Sequence, residues 1–323
     1  MATTVPFNQH HALLMKIETA FGTATVPSRD IGLIETFSFD ETNNVTAIDA
    51  SGSREVQELS DGQYSGTTKC GMKYQHGRIF EYVFGGTTVH AVSSSDIKHT
   101  FAVGTEVDSM SLGHSYNLTT DQLRIFNGLK VNSLSVEYAL GAAIKINWDG
   151  VFKSVDNTTT ALTAVISAIP TLKSYHASLS IGTDGAEAAV GQLESFRCNF
   201  KNNLTRVDGA GSRESTAICA DTLLIDFEFT KAFDSIAEYT IFLGGATPAT
   251  GDVTAKSLIF NANNGVSLGS GRREINIDLA VTKLATHGEQ KVLRGKVMQT
   301  FRGMATTIND MYTVDNITSA TWD

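Results

Sequence analysis

The chain has 323 residues, of which 41% are hydrophobic and 18% are charged, so each half is long enough to bury its own core. Its net charge of -9 argues against a protein that wraps around nucleic acid, because phosphate binding needs clustered lysine and arginine. Cys70, Cys198 and Cys219 show no CxxC spacing, so the sequence predicts neither a disulfide framework nor a zinc site and favours a reducing cytosol.

The first 33 residues are weakly patterned and contain two of the four prolines, Pro6 and Pro27. We predict an extended arm there, and a frayed terminus is the alternative. The N-terminus has no basic region followed by an apolar run, and no segment reaches the roughly 18 apolar residues of a membrane span. We therefore expect neither secretion nor membrane insertion.

A strand is predicted from Ile34, followed by a polar run over residues 40–66 that is rich in Gly and Ser. We interpret this run as a long exposed loop, a feature that is usually functional in a compact domain. Further strands show apolar and polar residues in alternation, most clearly at residues 223–230. Two short helices are predicted to end at Gly85 and Gly244, since glycine favours the left-handed conformation of a C-terminal cap.

The strongest pattern is a tandem repeat. Residues 43–55 (NNVTAIDASGSRE) return at residues 202–214 (NNLTRVDGAGSRE), and the spacing of 159 holds from Ile34 to Gly86. Solenoid repeats have periods of about 20 to 50 residues, so this period indicates two similar domains. We predict domains at 1–165 and 166–323, divided within the Thr- and Ala-rich stretch 155–171. Each is expected to be a β-sandwich or barrel-like unit of about eight short strands and one helix.

This order of features resembles the major tail tube proteins of tailed bacteriophages and related archaeal viruses. The resemblance is carried by residues 179–181 and 193–204, the Gly-Ser-Arg-Glu segment, the strand and helix that end in Gly-Gly, and the closing segment 128–136. It implies a mainly β tail tube fold, duplicated in tandem. It also implies a structural virion protein of the tail, made in the host cytoplasm. Because no catalytic or metal-binding motif is present, we expect no enzymatic activity, no cofactor and no metal site.

The resemblance further implies how the protein assembles. Rings of six domains stack into a tube, and a sheet from each domain joins its neighbours to line a lumen through which double-stranded DNA passes. In such tubes the long loop and the terminal arm reach the next ring. With two domains per chain, three copies are expected to form a pseudo-sixfold ring. Other tail proteins would meet the tube ends, a tape measure protein would occupy the lumen, and a negative lumen would avoid trapping DNA.

The repeated segment also supplies the candidate contact residues. Arg54-Glu55 and Arg213-Glu214 are predicted to form ion pairs between subunits, and a solvated loop is the alternative. Asp49 and Asp208 offer one carboxylate per copy, which favours an Asx-turn over a metal site. The predicted inter-subunit contacts are Asn44, Asp49, Arg54, Glu55, Asn203, Asp208, Arg213 and Glu214.

The sequence offers three alternative functions. A tail terminator or decoration protein would share the fold without forming a tube. A two-domain β-sandwich binding module would need a row of exposed aromatics, but aromatic residues are only 8% of the chain and mostly occupy core-like positions. An enzyme is disfavoured because the sequence has no phosphate loop, no Gly-x-Ser-x-Gly elbow and no histidine spacing typical of a metal site.

Overall fold

The computed structural model describes residues 11–49, 51, 54–116, 122–160, 162, 169–288, 291–293, 296–318 and 322. The first half contains β1 (His11–Ile17), β2 (Arg29–Asp30), β3 (Leu33–Thr42), β4 (Thr46–Asp49), β5 (Val56–Ser60), β6 (Ser65–Lys73), α1 (Arg78–Phe84), β7 (Val89–Ser93), β8 (Asp96–Phe101), β9 (Met110–Tyr116), β10 (Gln122–Ala139), β11 (Lys145–Phe152) and β12 (Ser154–Thr158).

The second half opens with a short 3-10 helix, Ser174–His176. It continues with β13 (Ala177–Thr183), β14 (Ala186–Ala189), β15 (Leu193–Lys201), β16 (Thr205–Asp208), β17 (Ser215–Cys219), β18 (Leu224–Ala232), α2 (Ala237–Leu243), β19 (Lys256–Asn263), β20 (Glu274–His287), β21 (Lys291–Leu293), β22 (Lys296–Ala305) and β23 (Ile308–Asp315). The predicted mainly β fold, with a short helix in each half, is confirmed.

The repeat in the sequence is also a repeat of elements. Strands β3 to β6 and helix α1 return as β15 to β18 and α2, and the bounds of α1 and α2 differ by the same 159 residues. Both helices end as predicted, because Gly85 and Gly244 have φ values of 62° and 79° in the left-handed region.

One long antiparallel sheet runs through both halves in the order β3–β6–β11–β10–β15–β18–β22–β20. Each half contributes four strands, and β10 joins the two blocks by pairing with β15 from Ser133↔Lys201 to Ala139↔Ser195. Among the described residues, these pairings leave the sheet with two free edges. One is β3, and the other consists of the C-terminal part of β20 together with β21, both of which pair with β22.

The N-terminal parts of β10 and β20 belong to a second layer. In the first half its order is β2–β1–β9–β10–β12, and in the second half it is β14–β13–β19–β20–β23. Strand β23 then pairs with β8, which itself pairs with β7, so a hairpin of the first half extends the layer of the second.

The hydrophobic core is shared between the halves. Alternating residues of the long sheet point inward, and one main cluster of buried side chains includes members of both halves. Phe84 of α1 meets Phe200 of β15 edge-on, with ring centroids 5.1 Å apart. Trp322 returns to the first half, where it stacks on His99 at 3.8 Å and donates an indole hydrogen bond of 2.6 Å to Glu81.

Several sequence-based expectations need correction. The run 40–66 is not a loop, because its middle forms the hairpin β4–β5. The first strand of that hairpin is exposed throughout, so it lacks the alternation that identifies a half-buried strand. Each half also has more than eight strands.

The N-terminal arm is partly a strand of the first half. Residues 11–17 form β1 and pair along their whole length with β9, so they belong to the chain's own sheet. Residues 1–10 of the predicted arm lie outside the described residues. Within the described part of the chain, no helix is long and apolar enough to cross a membrane.

Candidate assembly surface

Strand β3 is the counterpart of β15 in the repeat but has fewer partner strands. Because β15 lies between β10 and β18, its inward-facing side chains are fully buried. The corresponding Phe37 and Phe39 of β3 are only half-buried, since β3 has a partner on one side, β6. A cleft of about 440 Å³ opens beside these two rings and is also lined by His114 and Tyr116. Within the part of the chain that the structure describes, this edge has no second partner strand, so it presents unpaired backbone and part of the core.

The opposite free edge, formed by β20 and β21, corresponds to β10 of the first half. Ser133 follows a β-bulge in β10, and Thr286 follows a β-bulge in β20. Two strands inward from Ser133, the residue in the same register is Lys69, and two strands inward from Thr286 it is Glu228. Lys69 and Glu228 are 159 positions apart, which is the spacing of the repeat. Thr286 is therefore the counterpart of Ser133, and the free edge β20–β21 is the counterpart of the strand that pairs with β15.

The face of the long sheet that points away from the core is polar in both halves. Opposite charges lie across neighbouring strands, as in Arg302–Glu228 at 2.5 Å and in Glu35, which contacts Lys145 at 2.7 Å and Lys73 at 3.1 Å. Hydrogen bonds from Lys145 and then Lys73 hold the pKa of Glu35 below its usual value. Exposed pairs of this kind add little stability, so their main effect is to balance the charge of the surface.

The predicted contact residues lie at the two hairpins, β4–β5 and β16–β17. Asn44 and Asn203 have nearly identical left-handed backbones, with φ of 47° and 48°. Each side-chain amide donates to a carbonyl across the hairpin base, from Asn44 to Gln63 at 2.5 Å and from Asn203 to Thr222 at 2.9 Å. The structure thus gives both asparagines a role inside the chain, closing the hairpin base.

Arg213 and Glu214 connect the two halves of one chain. Arg213 donates to the Asn43 side-chain oxygen at 2.9 Å and to the Gly62 carbonyl at 3.2 Å, and it lies 3.2 Å from the Asp61 carboxylate. Glu214 lies 3.9 Å from Lys153 Nζ. The second hairpin therefore rests on the base of the first.

The remaining candidates belong to both hairpins. Asp208 lies 3.8 Å from Arg206, whereas Asp49, Arg54 and Glu55 are exposed on the first hairpin. Their predicted contacts with another subunit stay predictions. The described residues contain no group of three or more His, Cys, Asp and Glu side chains placed to hold a metal ion.

Sequence reasoning did not single out Asn202. This residue is 3% exposed, and its amide donates at 2.9 Å to the carbonyls of Val83 and Val131 in the first half. The available signal was its place at the start of the repeated segment, but the repeat alone does not say which copy is buried.

Comparison with known proteins gives the family of this chain. A family model described as phage tail tube protein matches residues 9–305. The chain belongs to the phage tail tube protein family. It is thus a structural protein of the virion tail. No curated protein matches the tail tube chain.

Proposed function

We propose that three copies of this tail tube protein close a ring in which the edge β20–β21 of one copy pairs with β3 of the next. The observation that supports this is the junction between the halves. Inside one chain, β10 joins one four-stranded block to the next through β15. The free edges are the counterparts of these two strands, so the same antiparallel pairing can join another chain. Six blocks then make one circle with pseudo-sixfold symmetry.

In this arrangement the polar face of the long sheet lines the lumen, and stacked rings form the tail tube through which double-stranded DNA passes. That orientation gives a lumen of paired opposite charges instead of the acidic lumen expected from the sequence. Several lysine and arginine side chains of this face lie beside carboxylates, which weakens their attraction for phosphate. Other tail proteins meet the tube ends, and a tape measure protein fits the lumen before DNA does.

The test is a disulfide between copies. Ser133 lies opposite Lys201 at the junction inside the chain, and the counterparts of these residues are Thr286 and Thr42. Directly opposed residues in antiparallel strands have Cβ atoms about 4.5–5.5 Å apart, close enough for a disulfide after small adjustment. Under oxidation of assembled protein, the double variant Thr42→Cys/Thr286→Cys should give a covalent ladder that ends at three chains.

The single variants Thr42→Cys and Thr286→Cys are the controls and should give no ladder. A ladder that ends at six chains would replace the trimeric ring with a hexameric one. Negative-stain electron microscopy of the same samples should show hollow tubes of uniform width. Uniform small particles at every concentration would contradict the tube and favour a terminator or decoration protein.

A further inference from the structure

The two hairpins share a sequence but have opposite surroundings. Hairpin β16–β17 is seated on the first half, where Asn202 reaches Val83 of α1 and Val131 of β10. Ile218 of the same hairpin is 1% exposed. The backbone is tied as well, because Tyr64 N donates to the Arg213 carbonyl at 2.8 Å. The second hairpin is thus a clasp between the halves.

Hairpin β4–β5 has the same design, but among the described residues its apolar side chains are not covered in this way. Leu59, the counterpart of Ile218, is 69% exposed, and Val56 and Val45 are also more than half exposed. Asn43, the counterpart of Asn202, is exposed too. A hairpin that displays several large apolar side chains on its surface is typical of an interaction surface.

The matching seat exists on the second half. The counterparts of the carbonyls that Asn202 binds belong to Phe242, at the end of α2, and to Leu284 of β20. Helix α2 is far less covered than α1: six of the seven residues of α1 are buried, but only Glu238 of α2 is. Ile236, just before α2, is 64% exposed.

Charge also fits this seat. Arg213 of the second hairpin lies beside Asp61 and Gly62 at the base of the first. The counterparts of Asp61 and Gly62 are Ala220 and Asp221. The equivalent seat on the second half therefore keeps one carboxylate near the place of Arg54, shifted by one residue. An opposite charge at this position favours the contact and sets its register.

We propose that hairpin β4–β5 clasps the second half of a neighbouring copy at the end of α2, burying Asn43 and Leu59 as Asn202 and Ile218 are buried within the chain. The partner is a second copy of this chain in the same ring. This inference rests on the proposed ring and adds a side-chain lock to the edge pairing. It assigns the first hairpin to a lateral contact, not to the contact between stacked rings.

The test compares matched substitutions in the two hairpins. Leu59→Ser changes an exposed residue, so the unassembled chain should keep its circular dichroism spectrum and urea midpoint. Asn43→Ala also removes the hydrogen bond from Arg213 within the chain, so its urea midpoint should fall slightly. Both variants should raise the concentration needed for ring formation at least tenfold. Ile218→Ser and Asn202→Ala change the buried counterparts and should lower the urea midpoint of the unassembled chain.

The outcomes separate the clasp from the ring. If the wild-type chain forms no rings, the ring and the clasp are both overturned. If wild type and Leu59→Ser form rings at the same concentration, only the clasp is overturned. Leu59→Ser protein that forms rings normally but fails to stack them would place the hairpin between rings and would also overturn the lateral clasp.

Discussion

Asp96 holds a loop of the second half onto a strand of the first. Its buried carboxylate accepts backbone hydrogen bonds from Gly269 at 2.8 Å, Gly271 at 3.0 Å and Arg272 at 2.8 Å. Burial opposes ionisation of this group, but the backbone donors, with Arg272 first, outweigh it and lower the pKa of Asp96. The ionised form is thus the one that stabilises the fold.

We predict that Asp96→Asn lowers the unfolding free energy of the unassembled chain by about 2 kcal/mol at pH 7, as charge-assisted hydrogen bonds are lost. A depressed carboxyl pKa contributes stability that is present above the unfolded value near 3.9 and is lost as pH falls through the folded value. The difference between wild type and variant should therefore shrink below about pH 4. Urea titrations across this range measure it, and a difference that is independent of pH would contradict the assignment.

At the residue scale, identity does not determine environment in a duplicated chain. Asn43 and Asn202 are the same residue at the same place in the repeat, yet one is exposed and the other is buried. Asn44 and Asn203 have the same role in both halves because that role is local to the hairpin base. The sequence analysis assigned Asn44 and Asn203 to contacts between subunits and did not predict this local role. The burial of Asn202 could not be predicted either, because it depends on the neighbouring half.

At the element scale, the caps of the two helices give a matched comparison. A Cβ on Gly85 would overlap the carbonyl oxygen of Glu106, which is backbone and cannot move away easily. A Cβ on Gly244 would meet only the side chains of Ala249 at 3.1 Å and Val253 at 3.2 Å. Both positions have positive φ, so alanine is strained in each.

We predict that Gly244→Ala costs about 1 kcal/mol of unfolding free energy, from the left-handed backbone alone. Gly85→Ala should cost about 3 kcal/mol, because an overlap within packed backbone is added to the same strain. Chemical denaturation of the two unassembled variants tests the order. Equal losses would show that the segment around Glu106 yields to the added methyl group.

Elements differ in how well the sequence predicts them. The caps and the alternating strands were predicted because glycine conformation and a half-buried face leave local patterns. Hairpin β4–β5 was missed because its strands are exposed and carry no alternation. The pairing of β8 with β23 was also not predicted, because the two strands are more than 200 residues apart in the chain.

At the scale of the whole molecule, the two halves are similar but not interchangeable. The first half has the additional hairpin β7–β8, and no strand lies between α2 and β19 at the corresponding place, where every residue is described. This hairpin pairs with β23 across the junction inside the chain. The junction between copies has no equivalent hairpin to offer to β12, so the proposed ring contains two kinds of junction in alternation.

We therefore predict threefold symmetry for the tube, with the β7–β8 hairpin at three of the six junctions. Cryo-electron microscopy images of assembled protein should be reconstructed twice, with threefold and with sixfold symmetry imposed. The threefold map should resolve this hairpin and the stacked Trp322 beside it, whereas sixfold averaging should weaken both features to about half, because each then overlaps a junction that lacks them. Equal density at all six junctions would contradict the alternation, since the second half has no residues in that place to supply it.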